Sequence, residues 1–200
     1  MSMEIRYEHR PSLERYAMIS IAYDVGAVLD VEAARAGGVP LPRDRVTMPY
    51  RKDYDAVPGN HPREWPARFD VDRAEFLAAW SDDRRIGGAV VIVEATDIVR
   101  LGGQAGDALL WDLRVAPAER RRGVGRALLA GAEAIARAAG MRGLTVETQD
   151  VNFPACQLYS AAGYVITSIT PGAYPDLPEE TRVVWTKTVG LRNAADKCCS

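Results

Sequence analysis

Apolar positions along this chain fall into short blocks whose spacing changes from one region to the next. Residues 86–95, IGGAVVIVEA, form an apolar, β-branched run bounded by charges and glycines, which predicts a buried strand. ALLWDLRV, residues 108–115, predicts a second strand, ended by Pro117. GLTVETQD, residues 143–150, predicts a third. YVITSIT and TRVVWTKTV, residues 164–170 and 181–189, predict two more; the loop Pro171–Glu180 between them is too long for a tight hairpin. Residues 122–139 change period. Val124, Ala127, Leu128, Ala132, Ile135 and Ala138 recur at helical spacing, Gly140 is a plausible stop, and Gly131 weakens the helix slightly. Pro154 opens a short helix running to Gly163, in the first-turn position that proline tolerates. The order strand, strand, helix, strand, helix, strand, strand predicts an α/β fold with a central mixed sheet.

The first half is less regular. AMISIAYDVGAVLDVEA, residues 17–33, is consistent with a first helix or a strand pair. Residues 40–66 hold Pro40, Pro42, Pro49, Pro58, Pro62 and Pro66. Proline fixes φ and donates no backbone hydrogen bond, so this stretch predicts a long loop with sparse regular structure. In FDVDRAEFLAAWSDDRR, Asp70 or Asp72 caps a predicted short helix with Phe76, Leu77 and Trp80 on its apolar face. Gly102, Gly103 and Gly106 predict a turn. No internal repeat is visible.

Composition narrows the class. The 200 residues are 48% hydrophobic and 26% charged, as in an ordinary globular domain. They suit one domain over residues 1–191, with a polar tail at 192–200. A net charge of −2 gives no general attraction to nucleic acid or anionic membrane, so any basic site is local. No apolar run reaches about 18 residues, and the charged N-terminus lacks a signal-peptide core, so a cytoplasmic protein is expected. Three cysteines, two of them adjacent at Cys198 and Cys199, argue against a disulfide framework, and no metal-ligand spacing accompanies them. Cys156 has no histidine near it in sequence and reads as helix packing.

The most chemically informative segment is Arg120-Arg121-Arg122-Gly123-Val124-Gly125-Arg126, between a predicted strand and a predicted helix. The first amides of a helix lack intrahelical acceptors, and the dipole there favours an anion. Glycines admit a phosphate close to the backbone, and arginines supply charge and paired donors. A solvated basic helix start is the plain alternative. The turn lacks the Gly-Lys-Ser/Thr ending of a Walker loop, and Leu128 stands where a dinucleotide fingerprint needs its third glycine.

The spacing Arg120-x-x-Gly123-x-Gly125 after Val115 resembles the acetyl-CoA motif of the GNAT superfamily. Asn152, Ala155 and Tyr159 resemble that family's second half-site. The resemblance implies a GNAT (acyl-CoA N-acyltransferase) fold with a mostly antiparallel sheet, an acetyl-CoA-binding core at about 86–191 and an acceptor-binding part at about 1–85. It implies that the turn's amides hold the pyrophosphate and that the backbone of Leu113, Arg114 and Val115 binds the pantetheine arm. A strand bulge would free an amide, by position Leu113, for the thioester carbonyl, where a fixed donor stabilises developing negative charge. Asn152 would bond the pantetheine arm. Tyr159 would protonate the departing thiolate; taken alone it reads as a packing tyrosine. The strings ETQDVN and AC-x-x-Tyr, with Tyr174 and Trp185, are similar to streptothricin-type acetyltransferases from Trp111 onward.

An attacking amine must be neutral, so a base is needed near the thioester. Asp112 and Glu147, on the two strands expected to flank the coenzyme, are candidates, and each also reads as a structural carboxylate. Tyr50, Asp53, Tyr54, Asp55 and Trp65 form a candidate acceptor wall with Tyr174 closing the other side; an ordinary surface loop is the alternative. The expected activity is acetyl transfer to a small-molecule amine, an antibiotic being one such acceptor. A protein acetyltransferase and a non-catalytic CoA-binding protein are the alternatives, and GNAT proteins often form homodimers.

Overall fold

The structure is a computed structural model that describes residues 3–9, 11–35, 40, 42–93 and 104–190. Nine strands and four α-helices run in the order β1 (Met3–Glu8), α1 (Leu13–Ala17), β2 (Tyr23–Leu29), α2 (Val31–Arg35), β3 (Pro42–Lys52), β4 (Ala74–Ser81), β5 (Arg84–Ile92), β6 (Ala108–Val115), α3 (Val124–Ala138), β7 (Gly143–Gln149), α4 (Phe153–Ala161), β8 (Val165–Pro171) and β9 (Thr181–Thr188) among the described residues. Seven strands form one sheet in the order β1-β4-β5-β6-β7-β9-β8, while β2 and β3 form a separate ribbon. Neighbours in the large sheet are antiparallel except β6 and β7, which are parallel and joined through α3. The α/β class and mostly antiparallel sheet agree with the sequence reading. The turn expected at Gly102 and Gly103 and the polar tail lie outside the described residues.

Helix α3 packs across one face of the sheet. Its buried stripe is Val124, Leu128, Leu129, Ala132, Ile135 and Ala136. Ala138, expected on that stripe, is exposed. Gly131 has a packing reason: a Cβ there would lie 2.8 Å from Leu77 Cδ1, so the glycine lets the helix approach β4. Strands β8 and β9 pair antiparallel across the long loop.

The first half departs from expectation in three places. Residues 17–33 are neither one helix nor a strand pair; they span the end of α1, then β2, then the start of α2. Residues 42–52 form an eleven-residue strand despite their prolines. Among the described residues strand β3 pairs with β2 alone, so prolines cost it little ladder bonding. Its register also breaks: Val25 pairs with Tyr50 and Ala27 with Arg45, which leaves Pro49 in the bulge opposite Gly26. The predicted helix bearing Phe76, Leu77 and Trp80 is strand β4, entered through one 3₁₀ turn, Val71–Arg73, that Asp70 caps. Phe76 packs with Tyr16, Trp65 and Val90, whereas Leu77 packs under α3. Both faces of β4 are covered, so its sequence lacks the polar alternation that marks a half-exposed strand.

Tyr16 lies against β5 with no room to spare. A Cβ on Gly88 would fall 2.5 Å from Tyr16 Cε2 and 3.3 Å from the Leu77 carbonyl oxygen. Gly88→Ala is therefore expected to destabilise the fold by about 1–3 kcal/mol through overpacking, read as a lower urea midpoint with unchanged m-value.

Candidate active site

Strands β6 and β7 pair only through Ala108, Leu109 and Leu110, opposite Leu144, Thr145 and Val146, and then part. On the other side of β6 the register slips, with Val91 opposite Leu110 and Val90 opposite Asp112, so Trp111 is the extra residue of a bulge. Leu113, whose amide the bulge was expected to free, lies two residues after it. The effect of the bulge on Leu113 can still be traced. Ala116 donates its amide to the Ile86 carbonyl at 2.9 Å, which sets the phase of the β5–β6 ladder. Alternation then aims the amides of Asp112 and Arg114 at β5, and those of Leu113 and Val115 into the gap.

The gap leads to the start of α3. Gly123, at φ 87°, is the N-cap in left-handed conformation, and open space lies where its side chain would be. The helix's first amides therefore face outward without a side-chain cap. A Cβ on Gly125 would lie 3.4–3.8 Å from Leu158, Val115 and Leu113, so its absence keeps the passage between β6, α3 and α4 wide. The arginines divide. Arg121 and Arg126 are exposed beside the turn. Arg122 is also exposed but bonds Glu119 at 2.9 Å. Arg120 turns inward, donating to the carbonyls of Val115 (3.0 Å), Ala22 (2.8 Å) and Ser20 (3.0 Å), and ties this turn to the segment before β2. Val124 is buried under the helix, so only its backbone reaches the turn.

On the other side of the gap, Asn152 caps α4 by accepting from the Ala155 amide at 3.3 Å, with proline in the first turn. Tyr159 is buried on α4 between Tyr164 and Trp185, and burial raises its phenol pKa. Leu113, Asn152 and Tyr159 line a cavity of about 370 Å³ that continues toward the acceptor side. Ala155 is half-buried and does not line it. Cys156 is fully buried, its thiol pKa pushed up to about 12 by burial, and it packs as expected.

The two candidate bases differ sharply. Asp112 accepts from Tyr16 Oη at 2.6 Å and from Arg114 Nε and Nη2 at 2.9 and 2.8 Å. Arg114 is wholly buried and also grips Asp55, at 3.0 and 3.2 Å, and the Ile19 carbonyl. Burial would lower the Arg114 pKa, but Asp112 beside it holds the guanidinium charged. Asp112 lines the same cavity as Glu147, with its carboxylate engaged in three hydrogen bonds and an ion pair. Glu147 faces the cavity and accepts one hydrogen bond, from Tyr174 Oη at 2.9 Å; the same hydroxyl accepts from Gln149 Nε2 at 3.1 Å. Burial raises the Glu147 pKa, against the opposing effects of the Tyr174 bond and the charges of Arg182 and Arg68.

The part of the cavity where the acceptor wall was expected is lined by Tyr54, Asp55, Asn60, Trp65, Arg68, Trp111, Glu147, Tyr174 and Asp176. Of the residues expected there, Tyr174, Tyr54 and Asp55 line the cavity. Trp65 reaches it as a core residue, 1% exposed, with Nε1 donating to the Asn60 carbonyl. Tyr50 and Asp53 do not line it; Tyr50 is on the outer ribbon and Asp53 caps the 3₁₀ turn Tyr54–Ala56. Sequence reasoning missed Tyr16, Asn60, Arg68 and Asp176. The WPARF string, a cation among aromatics, was the available signal for Arg68.

Residues 44–164 match the Acetyltransferase (GNAT) family. The chain belongs to the GNAT acetyltransferase family. Donor chemistry in this family comes from acetyl-CoA, and the open amides at Gly123, the Gly125 passage and the Leu113 and Val115 backbone fit such a donor. Streptothricin acetyltransferase A of Bacillus subtilis is 37% identical over 82 residues, 40% of this chain and 47% of that protein. The chain thus matches about half of that relative's length. A streptothricin acetyltransferase of Escherichia coli is 28% identical over 155 residues, 76% of this chain and 78% of that protein. A Bacillus anthracis protein proposed to be a streptothricin acetyltransferase, solved with acetyl coenzyme A, has the same fold, with TM-score 0.70, 22% identity, and coverage of 94% of this chain and 99% of that one. No helix among the described residues is long and apolar enough to cross a membrane.

Removing Arg114 would leave two carboxylates buried without their cation. Arg114→Met is expected to cost about 3–5 kcal/mol in chemical denaturation. Asp112→Asn combined with Arg114→Met should lose less than the two single changes added together, because the partners fail as a unit.

Proposed function

We propose that this GNAT protein transfers acetyl from acetyl-CoA to a primary amine of a small molecule by direct attack, with Glu147 as base and Tyr159 as acid. The observation that carries this reading is the single cavity that contains Leu113, Glu147 and Tyr159 together. Bound acetyl-CoA supplies an activated acetyl thioester at the gap between β6 and β7. The Leu113 amide is a fixed donor for the carbonyl oxygen as negative charge develops there. Glu147 takes the amine's proton; burial keeps it more basic than an ordinary carboxylate. Tyr159 holds its proton at neutral pH and gives it to the departing sulfur, so N–C bond formation and C–S cleavage give a neutral amide and thiol, and the proton gained by Glu147 is passed back to Tyr159 through solvent to reset both groups. At the other end of the donor, the amides at Gly123, with Arg121 and Arg126, hold phosphate. Arg120 serves instead as a brace.

A small acceptor is favoured over a protein side chain because the loop bearing Tyr174 and the segment bearing Tyr54 and Asp55 both wall the cavity. The streptothricin acetyltransferases matched above make an antibiotic amine a natural member of the test panel. Steady-state assays against aminoglycosides, streptothricin, polyamines, amino acids and lysine peptides test the class; exclusive use of peptides would reject it.

Tyr159→Phe is expected to lower kcat by roughly 10²–10⁴-fold with little change in acetyl-CoA dissociation constant by calorimetry. Unchanged turnover removes the assigned acid. The pH profile tests the base. Protonated Glu147 cannot accept the amine's proton, so kcat/KM falls as pH drops through its raised pKa. Glu147→Gln should lower the plateau and abolish that acid limb.

A further inference from the structure

The acceptor side of the cavity contains charges of both signs. Asp55, Asp112, Glu147 and Asp176 line it, and Arg68 is the one cation among its lining residues. Arg114, behind the wall, is paired to both Asp55 and Asp112 and offsets one of their two negative charges. Glu147 and Asp176 remain, with Arg68 on the same cavity.

Arg68 is exposed to solvent, with its guanidinium set against an aromatic ring. Its guanidinium carbon lies 5.0 Å from the centroid of the Trp111 ring. Trp111 is fixed in turn by Phe69, at 4.8 Å, and by Trp65, edge-on at 6.4 Å. Arg68 Nη1 donates to Asn60 Oδ1 at 2.9 Å and more weakly to the Gly59 carbonyl at 3.4 Å. Nε and Nη2 are left with no partner among the described residues. The charge of Arg68 reaches Glu147, where it opposes the effect of burial. A guanidinium set against an aromatic face and bonded at one nitrogen has less side-chain freedom to lose on meeting an oxygen pair than an unattached one.

We propose that Arg68 is a specificity-determining residue and that the preferred acceptor carries a carboxylate on the same small skeleton as its reacting amine. This rests on the acetyltransferase reading above. Glu147 draws the amine, Arg68 the carboxylate, and the two cross one cavity, so the substrate is an amino acid-type zwitterion rather than a bare polyamine. A carboxylate suits the remaining donors of Arg68 in charge and in planar geometry, which a neutral carbonyl matches only in part.

The test compares kcat/KM for L-lysine, L-lysinamide and cadaverine, which share the side-chain amine and differ at the carboxylate, in the wild-type protein, Arg68→Ala and Arg68→Lys. Spermidine is included as a bare polyamine. The wild type is expected to prefer lysine over cadaverine and lysinamide roughly 10- to 100-fold, as a hydrogen bond to a charged group implies. That ratio should collapse toward one in Arg68→Ala and fall partway in Arg68→Lys, with acetyl-CoA affinity retained as the check on folding. Equal use of lysine and lysinamide, a preference for cadaverine or spermidine, or an undiminished ratio in Arg68→Ala each overturns the proposal while leaving amine acetylation intact. Acetyl-CoA binding with no acetylation of any amine in this or the wider panel overturns both readings.

Discussion

A buried guanidinium organises this molecule. Arg114 has no solvent exposure at its side chain, and its charge is answered by Asp112 from its own strand and Asp55 from the segment after β3. Tyr16 and the Ile19 carbonyl complete the shell. Three parts of the chain far apart in sequence are thereby held at one point on β6. Such a network is a costly way to gain stability compared with apolar packing, but it is selective about geometry. Strand β6 carries Arg114 on one side of its backbone and presents Leu113 to the gap on the other. Fixing the arginine therefore fixes the amide next to it.

A second clasp works at the far side of the cavity. Glu180, 1% exposed at its side chain, pairs with Lys52 and accepts from Tyr54 Oη at 2.8 Å, and Tyr54 meets Tyr23 at 3.4 Å. It joins the β2–β3 ribbon to the loop before β9. The two clasps hold the walls of the cavity, and each uses a residue of the short turn Tyr54–Ala56. That turn is short, but it carries one side chain into each network.

The second half of the fold was legible because its elements obey simple rules. Strand β6 has its expected bounds, 108–115, and α3, β7, α4 and β9 lie within a few residues of theirs. The glycine turn and the Asn152–Tyr159 spacing were readable because they encode backbone geometry locally. The first half was not, for identifiable reasons. Strand β4 is covered on both faces, so AEFLAAWS carries no alternation and its alanines and leucine favour a helix. Strand β3 hides its prolines in a register break that local propensity does not reveal. Asp112 and Glu147 looked equivalent because sequence does not show that Arg114 and Tyr16 converge on one of them. Arg120 looked like its neighbours for the same reason.

The parting of β6 and β7 has a meaning beyond the chemistry it houses. A sheet that opens in its middle creates two new edges, and exposed edges invite pairing with other chains. Here the edges face each other across a narrow cleft, roofed at one end by α4 and at the other by the Tyr174 loop. The protein thus keeps unpaired main chain along its cavity, where a slender, extended molecule can take the place of a neighbouring strand.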